Sequence, residues 1–349
     1  MLRRDLMRGA ALGAAAIAAP AIVRPASAQT TTLRLHHFLP AGSTFQQQVA
    51  EPWARDLAAA TNNALKVEIF PSMQLGGAPP ALYDQARDGV VDLVWTLPGN
   101  TPGRFPLIEV FELPFMAGSA TTNSLALAEF GDRHLRQEFR DTHVIGWWAH
   151  DPGLIHTINR PITRLEDLQG LKLRFPTRQA GRALEALGAS TVGMPLPAAP
   201  EALQRGTVDG LVVPWEVMPS LRLQELTRFH TEVPGVPSLY TATFVLAMNR
   251  RRYTDLPAEL KRVLDQHSGV AWSRRAGQAW DAAAQNGIAA ARQRNNQITS
   301  LSAGEVTRWR ERTASVARQW LADVRGRGAN GDALLSEAQA LIQKHSRPA

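Results

Sequence analysis

Apolar and polar positions alternate at the start of the chain. Leu33-Arg34-Leu35-His36 follows a period of two, and Leu65-Lys66-Val67-Glu68-Ile69-Phe70 repeats it, which predicts strands with one buried face. Between them a helical spacing runs from Gln46 to Ala60, with Pro52 interrupting its first turns. Pro71, Gly76 and Gly77 punctuate a loop before a short helix from about Pro79 to Arg87. Val90-Val91-Asp92-Leu93-Val94-Trp95 is nearly continuous in apolar residues, as expected of a buried parallel strand.

A second run of the same kind begins after Asp151-Pro152-Gly153. Leu171-Lys172-Leu173-Arg174-Phe175 reads as a strand, Arg178 to Leu187 as a helix closed by Gly188, and Val208 to Val213 as another strand. The two halves echo one another. Gly89-Val90-Val91-Asp92 and Gly206-Thr207-Val208-Asp209 both join a helix to an apolar strand. Strands alternating with helices in two similar halves predict an α/β protein of two lobes. From Pro257 the pattern is helical toward Arg294. Unbroken, about 38 residues would reach ~57 Å and brace both lobes. A further amphipathic helix is expected from Ala303 to about Val324, with Trp309 and Trp320 on one face.

A chain of 349 residues suits two domains, and 44% hydrophobic with 20% charged residues suits a globular protein. The absence of Cys excludes disulfide scaffolds, thiolate metal sites and cysteine nucleophiles. Residues 1–28 have the form of an export signal. Arg3-Arg4 sits in a charged segment, a short Ala-rich stretch follows, and Ala26-Ser27-Ala28 provides a small-x-small cleavage pattern. This predicts a twin-arginine (Tat-type) signal peptide, a mature chain from Gln29 and a periplasmic location. Loss of Arg3, Arg4, Arg8, Arg24 and Asp5 lowers the formal net charge from +7 to +4. The basic residues are scattered among acids, so no nucleic-acid partner is expected, and the mature chain has no membrane span.

The chain lacks GxSxG and GxxxxGK[ST] motifs and has no GxGxxG following a strand, and its His residues lack metal-binding spacing. No enzymatic activity, metal or cofactor is therefore expected. Arg174 is the informative residue. It stands at the carboxyl end of its strand, just before Pro176, where α/β sheets present ligand sites. A guanidinium there can grip a carboxylate through two parallel hydrogen bonds.

The chain resembles the solute-binding subunits of tripartite ATP-independent periplasmic (TRAP) transporters, the DctP-type family. The resemblance rests on Leu33-Arg34-Leu35, Thr61-Asn62-Asn63, Gln74-Leu75-Gly76, Gly89-Val90-Val91-Asp92, Glu112-Leu113-Pro114-Phe115, Leu171-Lys172-Leu173-Arg174-Phe175-Pro176, Ala202-Leu203-Gln204 and Gly206-Thr207-Val208-Asp209-Gly210. It implies a two-lobed periplasmic binding protein fold with a hinge and a long helix across both lobes. One lobe comprises 29–151 with about 239–272, and the other 152–238 with about 273–349. It also implies that an organic acid is captured between the lobes by Arg174 and delivered to the membrane permease subunits. The alternatives are an exported α/β enzyme acting on a small organic acid and a sensory protein that reports its ligand.

Two departures from the family pattern bear on the ligand. Asp209-Gly210-Leu211-Val212-Val213-Pro214 has Val213 where family members often carry Asn. Gly153-Leu154-Ile155-His156 is apolar where sialic-acid binders carry a second Arg. Trp95, Trp147, Trp148, His150 and Trp215 fall at strand ends or just beyond and are candidate cleft residues beside Arg174 and Val213. Together they predict an aromatic or otherwise apolar monocarboxylate.

Overall fold

The computed structural model describes residues 30–116 and 118–346. The signal peptide expected over residues 1–28 lies outside them.

The strands are β1 (Thr31–His36), β2 (Leu65–Phe70), β3 (Leu93–Thr96), β4 (Thr142–Ala149), β5 (Leu154–Thr157), β6 (Lys172–Phe175), β7 (Ser190–Gly193), β8 (Gly210–Val213), β9 (Phe229–Glu232), β10 (Thr243–Asn249) and β11 (Gln297–Ser300). They form two sheets, in the orders β2-β1-β3-β10-β4 and β11-β9-β5-β8-β6-β7. The chain crosses from the first sheet to the second between β4 and β5 and returns between β9 and β10. The helices before the return are α1 (Glu51–Ala60), α2 (Leu82–Arg87), α3 (Ala120–His134), α4 (Arg178–Ala186), α5 (Ala199–Gln204) and α6 (Leu223–Leu226). After it come α7 (Arg250–Thr254), α8 (Ala258–Gln266), α9 (Val270–Gln293), α10 (Ala303–Arg325) and α11 (Gly331–Ser346).

The echo between the halves is structural. Gly89 and Gly206 both adopt positive φ, 76° and 65°, which a residue with a Cβ adopts at a cost. Each turn then delivers an aspartate to the neighbouring parallel strand. Asp92 Oδ2 accepts the Arg34 N–H at 2.8 Å, and Asp209 Oδ2 accepts the Lys172 N–H at 2.8 Å. Both carboxylates therefore pin strand pairs and do not face a ligand. Val90 and Val91 belong to the first of these turns, so β3 begins at Leu93, later than its apolar run suggests.

The long helix expected from Pro257 is broken. His267 to Gly269 separate α8 from α9, with Gly269 at φ 60°. The break is held from outside: the Trp53 indole donates to His267 O at 3.1 Å, and Gly269 N–H donates to Ile145 O at 2.6 Å. The 24 residues of α9 alone span both lobes. A Cβ at Gly277 would lie 2.6 Å from Thr121 Cα in the first lobe, and one at Gly287 would lie 1.9 Å from Trp215 O in the second. Between them Asp281 accepts the N–H groups of Ala120 and Thr121 at 2.7 and 2.9 Å, which satisfies orphan donors at the start of α3.

The C-terminal helices also depart from the expected division. α11 packs on α3 of the first lobe, where Glu337 meets Arg133 and His134 at 2.8 Å each and Lys344 meets Glu129 at 2.7 Å. α10 bridges: Glu305 accepts the Leu165 N–H of the second lobe, and the Trp320 indole donates to Pro106 O of the first. Trp309 and Trp320 are both fully buried, as their shared face predicts. No described helix is long and apolar enough to cross a membrane.

Candidate functional site

The carboxyl ends of β1, β3, β6 and β8 and the two crossings at β4–β5 and β9–β10 converge on one cavity. Its walls are mostly apolar, with Phe38, Leu97 and Phe244 from the first lobe and Val212 and Val213 from the second. Arg174, Tyr240, His150, Asn100 and Glu216 supply the polar atoms.

Arg174 is 2% exposed. Its Nε donates to Met194 O at 3.0 Å and its Nη1 to Val212 O at 3.3 Å, so two backbone carbonyls fix the guanidinium plane. Among the described residues no carboxylate pairs with it. Burial lowers its pKa to about 10, and the group still carries its charge at neutral pH. A buried cation without an acid is costly to keep, and an anionic ligand removes that cost. Tyr240 lies beside it. Burial raises the phenol well above its usual pKa, and its hydroxyl is buried without a partner, so it remains a donor available to an anion.

His150 lines the cavity, but both ring nitrogens are engaged. Nε2 accepts the Ala242 N–H at 2.8 Å, and Nδ1 therefore carries the proton and donates to Asp151 O. Burial lowers its pKa to about 4, so the ring is neutral and spans the two crossings. Its contribution to the cavity is its ring surface. Val213 is buried against the cavity as an apolar wall.

The four tryptophans sit elsewhere. Adjacent positions on β4 point to opposite faces, and both faces are covered. Trp147 packs on Gly131 of α3, while Trp148 stacks with Phe45 at 5.9 Å and meets Trp280 at 5.9 Å. Trp95 lies behind the wall, 4.6 Å from Phe38 and 5.5 Å from Phe244 between ring centroids. Trp215 turns away toward a second pocket lined also by Asp151, Glu232 and Asp281. Its ring packs on His156 at 5.3 Å. The sheet-end rule that singled out Arg174 also points to Phe38, just after β1, and Leu97, just after β3. Tyr240 and Phe244 carry no such local signal, since the return crossing brings in the first and the start of β10 the second.

Glu216, in the turn after β8, was also not expected. It is 5% exposed, and burial raises its carboxyl to about 7 against a smaller opposing effect of the Thr44 hydrogen bond. Its Oε1 has no partner. His36 and His37 point apart as their adjacency predicts, to Gln85 at 2.8 Å and Gln46 at 3.1 Å. Among the described residues no cluster of His, Asp and Glu is arranged to hold a metal ion.

A family model for bacterial extracellular solute-binding proteins, family 7 (DctP), matches residues 35–323. A TRAP solute-binding protein from Rhodoferax ferrireducens T118, solved with copurified benzoate, is 45% identical with a TM-score of 0.89, over 91% of this chain and 99% of that one. A marine metagenome TRAP solute-binding protein specific for aromatic acids, solved with 3-hydroxybenzoate, is 43% identical with a TM-score of 0.90, over 91% and 100%. A third, from Bordetella bronchiseptica with bound (R)- and (S)-mandelate, is 28% identical with a TM-score of 0.84, over 90% and 99%. The chain belongs to the DctP family of extracellular solute-binding proteins and is a TRAP solute-binding protein.

Proposed function

We propose that this chain captures an aromatic monocarboxylate of the benzoate type between its two lobes and hands it to TRAP membrane permease subunits, without chemical change to the acid. One observation carries the reading: Arg174 is a buried guanidinium with no acid partner among the described residues, in a mostly apolar cavity. The carboxylate takes the guanidinium and the Tyr240 hydroxyl, and the ring takes the apolar wall. The ring gains roughly 25 cal/mol for each Å² it buries. A sugar acid or second carboxylate leaves hydroxyls or charge without partners, at ~1–3 kcal/mol for each buried unsatisfied group. The ligands of the relatives support the same class. The two sheets with their helices are the bodies that close, and the hinges are the crossings at His150–Gly153 and Ser238–Ala242.

Melting-temperature screening of the mature chain tests the reading, since a ligand stabilises in proportion to the logarithm of its excess over Kd. Benzoate, hydroxybenzoates and mandelate are expected to outrank succinate, malate and hexuronates, and mass spectrometry is expected to recover the bound acid unaltered. A largest shift from a dicarboxylate or sugar acid overturns the substrate class, and a converted acid overturns the non-catalytic reading. For export we propose the twin-arginine route to the periplasm. Exchanging Arg3 and Arg4 for Lys then leaves precursor in the cytoplasm, and the exported chain begins at Gln29. Normal export of that variant points to the Sec route.

A further inference from the structure

Three unpartnered polar groups lie around the cavity, and a carboxylate accounts for only part of them. The Tyr240 hydroxyl and the Arg174 guanidinium are donors suited to an anion. His150 offers nothing further, because both its nitrogens are engaged. Asn100 and Glu216 remain. Asn100 Nδ2 is a buried donor without a partner, and Glu216 Oε1 is a buried acceptor without a partner. Both residues line the same cavity as Arg174, one from the turn after β3 and the other from the turn after β8.

A ligand carboxylate leaves Glu216 Oε1 unserved, since it has no proton to donate to an acceptor oxygen, and it sets charge against charge once Glu216 is ionised. A bare aromatic ring serves neither residue. The smallest group that accepts from an amide N–H and donates to a carboxyl is a hydroxyl. We propose that Glu216, assisted by Asn100, reads a hydroxyl on the ring of the bound acid, so that the site selects hydroxylated aromatic monocarboxylates over unsubstituted benzoate. The inference rests on the reading that an aromatic acid binds at Arg174. It assigns these two residues a role in specificity: Asn100 belongs to the first lobe and Glu216 to the second, so a hydroxyl held by both links the lobes as they close.

Titration calorimetry on the mature chain with benzoate and with 2-, 3- and 4-hydroxybenzoate tests this, and the readout is the ratio of benzoate Kd to hydroxybenzoate Kd. The wild-type ratio for at least one isomer is expected to be on the order of ten or more, the worth of a hydrogen bond to a charged group. Glu216→Leu is expected to bring the ratio near one, Glu216→Gln to keep part of it, and Asn100→Ala to reduce it. Circular dichroism confirms that each variant is folded, and Glu216→Gln and Asn100→Ala decide the matter if Glu216→Leu does not fold. A wild-type ratio near one for every isomer, or a ratio unchanged in the variants, overturns this proposal alone if benzoate still binds through Arg174. Absence of binding by any of the four acids overturns it together with the substrate class.

Discussion

The ring of Tyr240 fills the space that a side chain at Gly153 would need. A Cβ at that position would lie 2.0 Å from Tyr240 Cε1 and 2.6 Å from its hydroxyl oxygen. The two residues also pair through their backbones, with Gly153 N–H donating to Tyr240 O at 2.9 Å. One belongs to the outward crossing and the other to the return. Their contact sets the phenol beside Arg174 at the point where the lobes are joined.

Gly153→Ala should displace that ring. Overpacking of this kind costs about 1–3 kcal/mol, so a lower melting temperature of the free protein is expected, with weaker binding of the acid. Tyr240→Phe separates the two effects. It removes an unpartnered buried hydroxyl, so the free protein should be no less stable, while benzoate affinity should fall roughly ten-fold or more. Calorimetry and thermal melts on both variants check this; unchanged affinity in Tyr240→Phe removes the phenol from the carboxylate site.

Arg174→Ala should weaken binding of the acid by about 2–5 kcal/mol. Arg174→Lys should also bind poorly, because an ammonium cannot reproduce the planar fork that Met194 O and Val212 O hold in place. Arg174→Met should raise the melting temperature of the free protein, since it replaces a buried, uncompensated charge by an apolar side chain. Near wild-type affinity in Arg174→Ala would exclude the assignment.

Affinity for benzoate should fall as pH rises from about 6 to 8. The Glu216 carboxyl, raised by burial to about 7, is neutral below that pH and becomes an anion in the ligand's cavity above it. His150, lowered to about 4, stays neutral across this window, Tyr240 stays protonated and Arg174 stays charged. Asp151 is itself raised by burial and by its neighbour Glu216. Glu216→Gln should flatten the profile. The preference for a hydroxylated ring should grow over the same range, because the carboxylate is the stronger acceptor. A flat wild-type profile for benzoate between pH 6 and 8 contradicts this.

Val213→Asn puts an amide into an apolar wall. Binding of benzoate should weaken by ~1–3 kcal/mol if the amide finds no partner there. Competition between benzoate and a hexuronate in the variant provides the measurement, with the balance expected to move toward the hydroxylated acid.

Some of this protein is written in short stretches of sequence. The period-two strands, the helix C-terminus at Gly188 and the paired Gly-x-Val-Asp turns follow from local backbone preference and from which face is apolar. Arg174 was legible for the same reason: a charged residue on an apolar strand, two positions before a proline, sits at a sheet end whatever the rest of the chain does. Other features were decided by the tertiary structure. Periodicity places Trp147 and Trp148 on opposite faces of a strand, but not which face meets a helix and which a cavity; both met protein. The break at His267–Gly269 depends on Trp53, more than 200 residues earlier, binding a carbonyl that an unbroken helix would have used itself. α11 went to the first lobe, where its Leu334, Ala338, Leu341 and Ile342 are buried and Glu129 and Glu337 pair with basic residues across α3 and α11. Tyr240, Phe244 and Glu216 reached the cavity by topology, through the return crossing, the start of β10 and a turn whose neighbours are distant in sequence. A chain's local pattern fixes what each segment buries; which buried side chains line a cavity depends on how the lobes meet.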